Sequence, residues 1–109
     1  MIKNLEHGKT LNLAAEIDYG KGQVVSKTIC QNKALSMTLF AFDEGEGLTK
    51  HKTAGDALVT VLDGTVSIEI GDETFILNTN DSIVMPANIP HALDAVKPFK
   101  MLLTVVFES

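Results

Sequence analysis

The stretch "DALVTVLDGTVSIEIGDETFILNT", residues 56–79, decides the fold. Within it Val66, Ile68 and Ile70 alternate with Ser67 and Glu69. A period of two sends one face inward and the other toward water, and a helix cannot produce it. Asp63-Gly64 and Gly71-Asp72 interrupt the apolar runs, and both dipeptides suit two-residue turns that require positive φ. The reading is strand, turn, strand, turn, strand over residues 57–78, with tight hairpins at both dipeptides and three antiparallel neighbours.

Working outward, "GQVVSKTIC", "ALSMTLFAF", "DSIVMPA" and "FKMLLTVVFE" are equally short and β-branched, and Gly, Asn and Asp clusters separate them. "LNLAAEI" alternates Leu11, Leu13, Ala15 and Ile17 and is read as a strand, although Ala14, Ala15 and Glu16 favour a helical turn. The glycines of "KGQVV" and "EGEGLTK" mark loops. Eight or nine short strands in 109 residues predict an all-β fold, closed or double-sheeted so that its edges are hidden. With no linker and no internal repeat, residues 1–109 are read as a single domain.

Composition narrows the partners. A net charge of −5, with nine scattered lysines, opposes binding to a phosphate backbone, so no nucleic acid is expected. No apolar run approaches the roughly 18 residues that would span a membrane, and Met1 to Lys9 lacks the apolar centre of a secretory signal. The expected location is the cytoplasm. Cys30 is the sole cysteine, which leaves neither an internal disulfide nor a thiolate pair for zinc, and it is read as a packing residue.

The chemistry-bearing residues are His51, in "KHKTAGDALV", and His91, in "MPANIPHALD". They are forty positions apart, each beside a strand. Pro86 and Pro90 stiffen the approach to His91, as a site residue needs. Lys50 and Lys52, if they stay near the His51 ring, disfavour its protonated form. His7, near the chain start, is read as solvated.

Over residues 35–107 the chain resembles the cupin superfamily, whose small β-barrels bring histidines together in the barrel mouth through two motifs. Gly45, His51 and Gly64 match the first motif, while its second His falls on Thr53 and its Glu on Ala57. Pro86 and His91 match the second motif. Its two glycines fall on Asn80 and Asn88 and its Asn on Ala95. Asn enters left-handed geometry more readily than other side-chain-bearing residues, so those exchanges cost the backbone little.

The resemblance implies a double-stranded β-helix, or jelly-roll barrel, holding a small molecule or a divalent metal (Zn, Ni, Fe or Mn) in its mouth. His51 and His91 are the metal-ligand candidates. Catalytic metals in this family are usually held by three His and one Glu, and neither Thr53 nor Ala57 can replace the missing donors. Asp56 is one position out of phase with the lost Glu and should point away. A metal-dependent enzyme, whether dioxygenase, isomerase or decarboxylase, is the alternative reading.

Met37, Met85 and Met101 fall on three separate strands and, if inward-facing, would give the pocket an adaptable wall. "KMLLTVVF" is apolar on both faces, so something must cover the outer one. Together with the resemblance, that pattern predicts a homodimer.

Overall fold

The computed structural model describes residues 1–107. Nine strands form two antiparallel sheets. They are β1 (Val24–Gln31), β2 (Leu35–Phe42), β3 (Gly47–His51), β4 (Asp56–Asp63), β5 (Thr65–Ile70), β6 (Glu73–Asn78), β7 (Ser82–Met85), β8 (His91–Ala95) and β9 (Phe99–Val106). The larger sheet has the order β1-β2-β9-β4-β7 and the smaller β3-β8-β5-β6. The chain alternates between them as in a jelly roll, and the two sheets pack face to face without closing into one hydrogen-bonded barrel. Glu108, the last residue of the final segment read as strand, lies outside the described residues. Among the described residues no helix is long and apolar enough to cross a membrane.

Alternation along the strands decides what is buried. In β4, Ala57, Val59 and Val61 point between the sheets while Asp56 and Leu58 face out. Phe42, Val66, Ile68, Leu93, Phe99 and Met101 complete the inner core, where the Phe42 ring stacks on Phe99 with centroids 4.6 Å apart. The offset stacking adds to the area these rings bury.

The central stretch departs from its reading at one turn. Gly71-Asp72 closes a hairpin, with β5 and β6 paired from Thr65↔Asn78 to Ile70↔Glu73. Asp63-Gly64 does not. β4 pairs with β7 and β9, and β5 with β6 and β8, so this dipeptide carries the chain across the sandwich from one sheet to the other. Gly64 has a φ of +85° and Gly71 of the hairpin one of +57°, so each turn uses one left-handed glycine and the strand partners separate them. A Cβ at Gly64 would collide with the carbonyl oxygen of Pro98, so close approach to the neighbouring chain is a second demand for glycine.

Two more differences are local. Leu13–Glu16 forms a single 3₁₀ turn and not a strand, because the Asn12 side chain accepts a hydrogen bond from the Ala14 amide and caps it. Gly47–His51 and His91–Ala95, read as loop or loop-adjacent, are strands paired with each other. Asn80 and Asn88 do take left-handed conformations, with φ of 76° and 63°.

The outer face of the larger sheet has its own cover. Leu39 and Ala41 on β2 are fully buried there, in a cluster with Ile17, Ile29 and flanking Leu5, Leu13 and Met37. Residues before β1 therefore form a strap over this face. Lys100 donates to the Ala14 carbonyl at 2.6 Å and lies over the Tyr19 ring, and Lys27 donates to the Glu16 carbonyl at 3.2 Å. Tyr19 donates to Asp63, and burial together with that carboxylate raises the phenol above its ordinary pKa. Nearer β7, Leu58 and Val84 stay uncovered.

Candidate functional site

His51 closes β3 and His91 opens β8, and the two are direct partners in the antiparallel ladder. Direct partners share a face. Here it is the inner one, since Leu48↔Leu93 in the same ladder packs into the core. The ladder shifts register between Leu48 and His51, so that the extra residue realigns His51 with His91. The ring centroids lie 4.4 Å apart at 68°.

The rings differ in surroundings. His91 is 2% exposed and His51 faces solvent. Burial and the neighbouring His51 ring lower the pKa of His91, against a smaller opposing effect from the Ile89 carbonyl. Both rings are tethered through Nδ1 to a backbone carbonyl two residues earlier, His51 to Thr49 at 2.7 Å and His91 to Ile89 at 3.3 Å. Among the described residues no fully buried side-chain nitrogen or oxygen lacks a partner. The unbonded Nε2 of His91 therefore keeps a small contact with solvent.

Lys50 does not sit beside the rings. It lies on the outer face of the smaller sheet and pairs with Glu69 at 2.7 Å, crossing Ala92. The causes acting on His91 include no lysine. Asp56 points outward, as alternation requires, and its carboxylate accepts from the Ala87 amide at 2.8 Å, fixing the loop before His91. Thr53 spends its hydroxyl on the Gly55 carbonyl, and its own carbonyl receives the Asn88 amide. Ala57 faces inward between its partners Met85 and Val105 and brings no donor atom. Among the described residues no group of three or more His, Cys, Asp or Glu could hold a metal ion.

Of the three methionines, Met85 sits at the mouth end, paired with Ala57, and Met101 lies deeper, paired with Val61 and Phe40. Both are buried in the inner core. Met37 does not join them. Its partner Thr104 lies on the opposite face from Leu103, so Met37 packs under the N-terminal strap. His7 is also apart, bonded through Nε2 to the Ile2 carbonyl. It borders an apolar groove of about 510 Å³ formed by residues of the first eleven alone. Its lining is almost wholly apolar, with Glu6 paired to Lys9 and His7 bonded to Ile2, whereas the imidazole pair brings two tethered rings together.

Ser36 and Thr38 were not legible as site residues. They pair with Val105 and Leu103, which places their hydroxyls on the inner wall of the larger sheet, with Thr28 beside Thr38. β2 starts at the end of the sandwich where β3 finishes, so these hydroxyls belong to the histidine end.

A nine-strand jelly roll with an inward imidazole pair at one end defines a small cupin-type sandwich. The cupin domain family matches residues 38–107, and the chain belongs to it. A conserved protein of unknown function from Streptococcus pyogenes is 44% identical, with a TM-score of 0.96 over 99% of this chain and 95% of that one. A cupin superfamily protein from Desulfitobacterium hafniense is 30% identical, with a TM-score of 0.95 over 99% of each chain. A cupin 2 conserved barrel domain protein from Leptotrichia buccalis is 45% identical, with a TM-score of 0.86 over 88% of this chain and 47% of that one. No curated protein matches the chain.

Proposed function

We propose that this cupin binds a small molecule at the mouth of its sandwich, with His51 and His91 as the polar contacts and Met85 and Met101 in the wall behind them. One observation carries the reading. Two imidazoles brought together from distant positions are each fixed through Nδ1, which leaves both Nε2 atoms without a partner among the described residues. Oriented, unsatisfied polar atoms beside an apolar wall are what a ligand site needs.

The metal that the family implies does not find a full donor set. Thr53 and Asp56 are committed elsewhere, Ala57 has no donor, and two imidazoles are fewer than the three protein ligands of an open catalytic site. No step of the reading runs through a metal, and no reaction is assigned. Pairing of two copies through the uncovered outer patch at Leu58, Val84 and Val106 belongs to the same proposal.

Metal analysis of the purified protein, with His51→Ala and His91→Ala beside it, tests the site. The expected result is less than stoichiometric metal in all three. A small-molecule panel should raise the melting temperature of the wild type only, since a ligand stabilises the form it binds. Stoichiometric metal lost in both variants would replace this reading with the metal-dependent enzyme.

A further inference from the structure

The tether on each ring also says what kind of group the mouth can accept. A carbonyl oxygen only accepts hydrogen bonds, so the Nδ1 atoms facing Thr49 and Ile89 must carry the ring hydrogens. In a neutral imidazole the other nitrogen is then a lone-pair acceptor. The mouth thus presents two neighbouring acceptors, and a ligand must bring donors to them. An ionised carboxylate brings only further acceptors, and a hydrogen phosphate brings one donor among several charged acceptor oxygens.

Carboxylates stand away from the two rings. Asp56 and Glu69 point to outer faces, as does Asp94, the partner of Ser67. Glu73 shares the ladder face of Ile70 and His91, but it is exposed, stands on β6 beyond β5, and is not among the groups acting on the His91 ring. An ammonium ligand at the rings would lose its hydration without a carboxylate beside it. Lys50 is held by Glu69, and Lys27 and Lys100 are held by the strap. Lys52, exposed next to His51, and Lys33, exposed in the turn before β2, are cations at the rim of this end. By register the inner face of the larger sheet also carries the hydroxyls of Ser26, Thr28, Ser36 and Thr38 and the amide of Gln31, all of which both donate and accept.

We infer that the ligand is an uncharged, hydroxyl-bearing small molecule whose hydroxyls donate to the Nε2 atoms of His51 and His91. This rests on the proposed binding role of the same site. Imidazole nitrogen NMR at pH 8 tests it directly. Both rings should show a protonated Nδ1 and a bare Nε2, and a hydrogen on either Nε2 overturns the inference.

The same spectra are then recorded with glycerol, D-glucose, inorganic phosphate and acetate at matched ionic strength. A neutral polyol should shift both Nε2 signals, and His51→Gln or His91→Gln should weaken its apparent affinity at least tenfold. His51 is exposed, so its variant reports binding even where the buried His91→Gln disturbs folding. Phosphate or acetate acting in place of the polyols, whether or not Lys52→Gln abolishes it, overturns the ligand class and leaves binding intact. Silence from every probe overturns the inference together with the binding reading beneath it.

Discussion

Around β2 both faces of the larger sheet are sealed, but by different means. On the inner face, Phe42, Val59, Phe99 and Met101 are covered by a second sheet whose own hydrogen bonds fix its position. On the outer face, Leu39 and Ala41 are just as fully buried, but under a strap whose only regular structure is one 3₁₀ turn. The strap is held by Ile17 and its apolar neighbours, with a few bonds from lysines to its carbonyls. An apolar strand face thus specifies that it must be covered without specifying by what. A cover made of a ladder opens only when the fold does, whereas a cover made of a strap can open alone.

The largest effect should come from the inner face. Phe99→Ala removes one ring of the stacked pair in a site with no exposure, and a loss of about 3–5 kcal/mol is expected. Chemical denaturation should show a single earlier transition in which both sheets melt together. A separate early loss of the strap in this variant would break the distinction between the faces.

Ile17→Ala sharpens the same distinction from the other side. Its buried side chain belongs to the strap cluster, and about 2 kcal/mol is expected, at the low end for such truncations because the strap can detach as a unit. Hydrogen exchange is the measurement. Strap amides such as Lys3, bonded to the Ile29 carbonyl, and Ala15, bonded to Asn12, should exchange faster while those of β4 and β9 keep their protection. Uniform acceleration would mean that strap and sheets form one cooperative unit.

How much of this was legible in the sequence follows the same division. Where one face is wet, alternation names the strand and its orientation, as in β4 and β5, and it also turned Asp56 away from the site. Where both faces are covered the signal disappears. In β2 every residue is at least half buried, so Met37 and Thr38 could not be assigned to opposite faces until the register with β9 was known. The crossing at Asp63-Gly64 and a hairpin share the same glycine demand, and only the partners of β4 and β5 tell them apart. The two strands that bring the histidines together have five residues each and carry Gly47, Lys50 and Asp94, too little β-branched pattern to be seen. The pair itself was reached through motif spacing, while its tethering carbonyls and the hydroxyl wall depend on register.

The histidine end offers a smaller test of the inner face. An unfolded imidazole takes its proton near pH 6.5, whereas burial and the His51 ring delay protonation of folded His91 to lower pH. The unfolded chain therefore binds more protons through this interval, so the contribution is complete above about pH 6.5 and is lost as pH falls through the folded value. Stability measured between pH 7 and pH 5 should decline, and His91→Gln should flatten that decline. An unchanged slope would place the ring in a more open mouth than its burial indicates.

The smallest effect on the single chain is expected where the outer face has no cover. Leu58 and Val84 are cross-strand partners with 38% and 52% exposure, and replacing both with Thr puts a β-branched side chain at each position. Stability of an isolated chain should change by about 0.5 kcal/mol or less, as for surface positions generally. If a second copy covers this patch, the same exchange removes apolar area from an interface, and sedimentation should show dimer giving way to monomer on dilution. A dimer that survives the double exchange unaltered would move the interface away from the bare patch. A wild type that is monomeric at every concentration would show that this sheet tolerates on one face what it excludes from the other.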